Sequence, residues 1–251
     1  MSKVAVILTG HMRCWEQVFP NFKHHIIDQY NPDIFISTWS DEGWWRPHSQ
    51  QGYNDQSPPL DVEKVSSYYN PKIIFTENYK NIEHILEQRS KQFSNYLHNP
   101  KNVVSMLYKL LSGGQLLETY IASTGQKYDL VIRMRPDMTF NLNLPKFNNN
   151  RFYTINHQNH LGQGTGDMFQ VGSVDDIIKF TKLLYKLEDT YMHGGSLCPH
   201  VITKSFIEIN NFIWQEIHIS KTLVHSPFGS YVPSIGNSIL DLKTEENNKV
   251  Y

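Results

Sequence analysis

Cysteine is scarce in this chain: Cys14 and Cys198 are the only two among 251 residues. They stand far apart, without a CxxC pair or a Cys/His metal spacing, so neither a disulfide framework nor a structural zinc is expected and a reducing compartment fits. Charge of one sign is not in excess either. A formal net charge of -1 and a pI near 6.9 give no global attraction to nucleic acid or anionic lipid, so any anion binding has to be local. Long apolar runs are missing: Val4 to Leu8, after Met1-Ser2-Lys3, is too short for a signal-peptide core or a membrane span, and a soluble cytoplasmic protein is expected. No linker-like stretch divides the chain, no period of twenty to fifty residues repeats, and no low-complexity block occurs. Neither GxGxxG nor GxxxxGK[ST] is present, which disfavours a nicotinamide dehydrogenase or a P-loop enzyme.

What the chain does have is aromatic residues, at 13%, and 12 histidines. Tyr and Trp combine a flat apolar face with a polar tip, which suits sugar rings and nucleobases as well as ordinary packing. The opening reads as strand, helix, strand: Val4 to Leu8 is an apolar run, Glu16 to Tyr30 is apolar at helical spacing, and Asp33 to Thr38 is a second run. Between them, Thr9-Gly10-His11-Met12-Arg13 sets a glycine and an arginine at the carboxyl end of the first strand, where a backbone can approach a nucleotide closely. Ser40 to Pro59 turns rich in Gly, Pro, Ser, Gln and Asn and reads as a long loop. Asp41, Trp44 and Trp45 on it are candidates for acceptor recognition, since aromatic faces can cover the CH face of a sugar.

Helices are expected at 61–69, 82–93, 103–120, 173–191 and 199–208, and strands at 73–75, 152–155 and 217–225. Ser173-Val174-Asp175-Asp176 is a helix-capping sequence, so its two acids are assigned to the helix start and not to chemistry. The most informative segment is Tyr128 to Phe140, an apolar run that ends in Arg133, Arg135 and Asp137. A buried strand that releases charges at its exit does so where open α/β sheets bind ligands. Arg133 and Arg135 share a face if the strand stays extended. Guanidiniums pair bidentately with phosphate oxygens and a carboxylate can hold a divalent cation, so a nucleotide derivative is the expected ligand.

Several elements in one order resemble a group of bacterial and viral GT-A-like glycosyltransferases. Ser105-Met106-Leu107-Tyr108-Lys109 is similar to the group's SMxYK helix, and Tyr128 to Phe140 to its YDxVIRxRPDxxF strand. Leu8 to Arg13 is similar to SGxxR, Asp33 to Trp39 to DxFxxTW, and Asp167 to Ser173 to DxFxxGS. The resemblance spans about residues 4 to 205. It implies an α/β, Rossmann-like mixed sheet flanked by helices in a single domain, with a nucleotide-binding half (1–125) and an acceptor-binding half plus tail (126–251). It further implies transfer of a sugar from a nucleotide-sugar donor, a UDP-sugar in the first instance, to a glycan acceptor, in its own or a host's cytoplasm; inversion is the expected course, with retention left open. Thr9, Gly10, Arg13, Tyr108, Lys109, Arg133, Arg135 and Asp137 would hold the donor. Arg135-Pro136-Asp137 lies where many such enzymes carry Asp-x-Asp on a divalent cation. With arginine for the first acid, either Asp137 alone anchors Mn or Mg, or Arg135 supplies part of the charge a metal would bring. Asp167 is the first candidate base. His200, in Leu197-Cys198-Pro199-His200, stands where the group has glutamate and is the second.

Two other classes remain open on the sequence. One is a noncatalytic nucleotide- or glycan-binding protein on the same fold. The other is a nucleotidyltransferase, although the glycine-rich, lysine-containing N-terminal loop such enzymes use on triphosphates is lacking. No nucleic acid partner and no membrane span are expected.

Overall fold

Strand β1 (Val4–Thr9) is buried along its whole length, as is β2 (Asp33–Trp39), because apolar and β-branched residues point to both faces and both faces are covered. The computed structural model describes residues 2–43, 57–93, 99–156, 162–224 and 231–232. Between β1 and β2 the chain runs through α1 (Trp15–Phe22), a π-helical turn (Lys23–Ile27) and a final turn α2 (Asp28–Tyr30). Helix α3 (Val62–Tyr69), capped by the Asp61 carboxylate on the Lys64 amide, leads into β3 (Ile73–Glu77). Helices α4 (Tyr79–Ser90) and α5 (Pro100–Thr124) follow, then β4 (Leu130–Met134).

The second half of the chain completes the same sheet. The short strand β5 (Met138–Phe140) precedes β6 (Phe152–Ile155) and β7 (Phe169–Gly172). Helix α6 (Val174–Thr181) starts on the expected cap, with the Ser173 hydroxyl accepting from the Asp176 amide at 3.1 Å. A 3-10 stretch (Lys182–Lys186) separates it from α7 (Leu187–Gly194), so the helix expected over 173–191 is three pieces. Helix α8 (Pro199–Ile209), β8 (Trp214–Ile217), β9 (Lys221–Val224) and β10 (Tyr231–Val232) end the described chain. The single strand expected over 217–225 is thus two strands, which go to different sheets.

Seven strands form one mixed sheet in the order β3-β2-β1-β4-β7-β6-β8. β3, β2, β1 and β4 are parallel, β7 runs against β4 and β6, and β8 is parallel to β6. The architecture is α/β and Rossmann-like, with helices on both faces. Alternation along the strands sorts the core in two. Ala5, Ile7, Phe35 and Val131 pack toward α4 to α8, whereas Val6, Leu8, Ile36, Ile132 and Met134 pack toward α1 and α3. Helix α5 lies close to both the sheet and α6. A Cβ at Gly113 would come within 2.5 Å of the Thr9 methyl, and one at Gly114 within 2.0 Å of the Thr181 hydroxyl.

The arginine strand does not run on through Phe140. β4 stops at Met134, Arg135 donates its amide to the Met168 carbonyl, and Pro136-Asp137 turns the chain into β5, a member of a second, three-stranded sheet (β10-β9-β5). Proline has no amide to continue a ladder, which gives the turn its physical cause. Among the described residues, no helix is long and apolar enough to cross a membrane.

Candidate functional site

Strands β2 and β3 lie on one side of β1, and β4 and the later strands on the other, so the order reverses between β1 and β4. Ligands of open α/β sheets bind at the carboxyl ends of the strands at such a reversal. There the loop after β1 brings Gly10, His11 and Arg13, and the turn after β4 brings Arg135 and Asp137. Gly10 has φ of +112°, donates its amide to the Ser37 carbonyl at 3.1 Å, and has open space where a Cβ would project. Glycine is required there by conformation, and the open space leaves the backbone approachable.

Asp137 is the centre of the charge cluster. Arg135 meets its carboxylate side-on, Nε to Oδ1 at 2.9 Å and Nη2 to Oδ2 at 2.6 Å, while Arg13 Nη1 stands 3.6 Å from Oδ2. Arg13 is anchored from behind by Nε on the Gly43 carbonyl at 3.1 Å. The carboxylate is nearly covered, at 2% exposure, whereas both arginine side chains keep 22%. Burial opposes the charge on Arg135, but Asp137 more than restores it, so its pKa lies above the ordinary guanidinium value. Burial and the Arg13 charge push the neighbouring His11 imidazole down to about 3, which keeps it neutral against Asp41 at 3.5 Å.

A second cluster forms beside the first. The glycine-rich loop is stitched to the start of α8, with the Thr165 amide donating to the His200 carbonyl at 3.0 Å. At Gly164 a Cβ would lie 2.5 Å from the His200 backbone. That close approach sets Asp167 Oδ1 3.0 Å from His200 Nδ1. Burial alone would raise the Asp167 pKa, but the His200, Arg135 and Arg133 charges and the His200 contact outweigh it and hold the carboxyl well below the usual carboxylate range. Lys221 on β9 is buried nearby. Burial pushes its ammonium down to about 8, with Asp167 acting in the opposite direction. Arg13, Arg133, Arg135 and Lys221 thus gather around Asp41, Asp137 and Asp167.

Of the residues expected to hold a donor, Gly10, Arg13, Arg135 and Asp137 come together here, and the others are corrected. Arg133 turns inward toward α5. Its Nε and Nη2 donate to Thr9 Oγ1 at 2.9 and 2.8 Å, and its Nη1 donates to Gln170 Oε1 at 3.0 Å and to the Asp167 carbonyl. It is 1% exposed and holds β1, β4 and β7 together, with Thr9 as its acceptor. Lys109 falls on the buried face of α5. Its ammonium has no exposure, sits 3.2 Å from Glu77 Oε2 and 4.0 Å above the Trp39 ring, and is pushed down to about 8 by burial against the pull of Glu77. Tyr108 donates to Glu77 Oε1 at 3.2 Å and stacks on Trp39. Both belong to the packing at the ends of β2 and β3.

Asp41 is buried against His11, with its backbone bridged to Pro59, and does not present its carboxyl outward as an acceptor contact would. Trp44 and Trp45 lie outside the described residues. Sequence reasoning had assigned nothing to Lys221, Gln170 and His11. Gln170 is a lone polar residue inside an apolar strand, a signal that could mark it, whereas Lys221 lies between Ser220 and Thr222 with nothing local to set it apart.

A divalent cation does not fit the donor set around Asp137. Both carboxylate oxygens already accept from Arg135, and a second guanidinium stands beside them. Among the described residues no group of three His, Cys, Asp or Glu side chains is placed to hold a metal. Compared with known protein-family models and with curated proteins, the sequence matches none.

Proposed function

We propose that the protein is a nucleotide-sugar-dependent glycosyltransferase with a GT-A-type fold, moving a sugar from a donor, a UDP-sugar in the first instance, to a glycan acceptor with inversion. The observation that carries the reading is the pair of partly exposed arginine side chains, Arg13 and Arg135, at the reversal point between β1 and β4, beside an approachable Gly10 backbone. Departure of a nucleoside diphosphate develops negative charge on its terminal phosphate. Fixed guanidiniums stabilise that charge without reorganising during the reaction.

Inversion also needs a group that takes the acceptor hydroxyl proton on the face of the sugar opposite the leaving diphosphate. The Asp167 and His200 pair supports this step, with the carboxylate set on Nδ1 of the imidazole. A carboxylate held as low as Asp167 is a weak proton acceptor, which leaves its partner as the group to take the proton. His200 is therefore assigned as the base, with Asp167 fixing the ring and stabilising the imidazolium that forms. Asp167 lies close enough to Arg135 for their charges to interact, so a donor diphosphate on Arg135 and an acceptor at His200 would be neighbours.

The test is release of nucleoside diphosphate from UDP-, GDP-, CDP- and dTDP-sugars in the presence of a glycan panel. The reading expects release from one donor class, dependent on acceptor and lost in His200→Ala. Binding of nucleoside diphosphate with no turnover of any donor would make the protein a binding module. Pyrophosphate release from a nucleoside triphosphate would make it a nucleotidyltransferase.

A further inference from the structure

We infer that the cation balancing the donor diphosphate is built into the chain: Arg13 and Arg135 stand in for a divalent metal, and Asp137 is the counter-ion that positions them. The inference rests on the donor reading above and adds to it how the diphosphate is neutralised.

A magnesium or manganese ion on Asp137 would need a carboxylate lone pair at roughly 2.0 to 2.2 Å. The lone pairs on Oδ1 and Oδ2 are instead directed at Arg135 Nε and Nη2, at 2.9 and 2.6 Å. Bringing a doubly charged ion there would break a charge-assisted bidentate pair and set the ion against two guanidiniums. The nearby carboxylates are engaged as well, Asp167 with His200 and Asp41 with His11.

The arrangement suits an anion better. Asp137 is nearly covered, and the two arginine side chains around it keep part of their surface exposed. The side-on pairing uses Nε and Nη2 of Arg135 and so turns the edge carrying Nη1 away from Asp137. Arg13 is steered by the Gly43 carbonyl, so its fork is aimed by the backbone of the loop after β2. One carboxylate offsets one of the two guanidiniums and leaves a unit of positive charge for the ligand. The buried carboxylate thus orients two long side chains that would otherwise lose conformational freedom when a diphosphate binds.

Titration calorimetry on the full chain with inorganic pyrophosphate and with UDP, in EDTA and in Mn(II), tests this. The expected result is binding in EDTA with a dissociation constant that Mn(II) leaves unchanged, and a loss of about tenfold or more in Arg13→Met and in Arg135→Met. Asp137→Asn should lose less than either arginine variant, because the competing anion goes together with the ordering it imposes on the two guanidiniums. Binding seen only with Mn(II), or an Asp137→Asn loss equal to that of the arginine variants, would overturn the inference. Should Asp137→Asn fail to fold, the wild-type comparison of EDTA with Mn(II) decides alone. Pyrophosphate binding in EDTA without sugar transfer from any donor upholds the inference and removes the transferase reading. No binding of either probe in either buffer overturns both.

Discussion

Arg133→Met separates a residue that builds the site from one that binds the ligand. The guanidinium supplies four hydrogen bonds to three acceptors, Thr9 Oγ1, Gln170 Oε1 and the Asp167 carbonyl. Thr9 and Gln170 are 2% and 0% exposed, so water cannot replace the lost donor. Leaving three buried acceptors without it costs about 1 to 3 kcal/mol each. Relief of guanidinium desolvation returns several kcal/mol, and methionine keeps much of the apolar volume. The net loss of stability is about 2 to 4 kcal/mol, which for a chain of this size lowers Tm by roughly 5 to 15 °C. Urea denaturation should show a lower midpoint with an unchanged slope. Arg133→Lys should recover only part of the loss, because one ammonium cannot reproduce a planar fork. An unfolding free energy within about 0.5 kcal/mol of the wild type would refute the reasoning and return Arg133 to the ligand site.

Three further outcomes follow from the same geometry. Gly113→Ala gains about 0.5 to 1 kcal/mol of helix propensity but forces a Cβ to within 2.5 Å of Thr9 and 2.8 Å of Ile7. Overpacking at about 1 to 3 kcal/mol wins, and a more stable variant in urea would contradict the close approach of α5. Asp167 has a folded pKa below its unfolded value, so its stabilising contribution is complete above the usual carboxylate range and is lost as pH falls through the folded value. The stability gap between the wild type and Asp167→Asn should therefore hold above about pH 5 and shrink as pH falls below about 4, still shrinking at about pH 3, and a constant gap would argue against the pairing. Lys109 is the opposite case. Its folded pKa of about 8 lies under the ordinary 10.5, so the unfolded chain holds the proton longer and wild-type stability rises with pH between those values. Measured against Lys109→Met, the wild type should gain over that window; a flat difference would mean that Lys109 is not buried.

Much of the frame was legible in the sequence. The short apolar runs of β1, β2 and β4 are flanked by polar residues, and that pattern survives in the fold because these strands are covered on both faces. The cap at Ser173 was legible for a local reason, since it needs only residues three apart. Arg133 was misread because periodicity says which residues share a face but not whether that face meets solvent or α5. Lys109 was misread likewise, as a cation in a helix with nothing local to reveal Glu77 and Trp39 above it. The pairing of Asp167 with His200 depends on the glycine loop packing on α8, a contact 33 residues apart in sequence that no local pattern encodes. The Arg135 clamp on Asp137 was within reach, because the two lie two residues apart across a proline turn.

The account stands on the diphosphate of a nucleotide sitting against Arg13 and Arg135 above Gly10. The most direct test is a crystal structure of the protein with whichever of UDP, GDP, CDP or dTDP raises its thermal stability most. The predicted result is diphosphate oxygens within hydrogen-bond distance of both guanidiniums, at the carboxyl ends of β1 and β4. A nucleotide bound elsewhere, with Arg13 and Arg135 still closed on Asp137 alone, would contradict it.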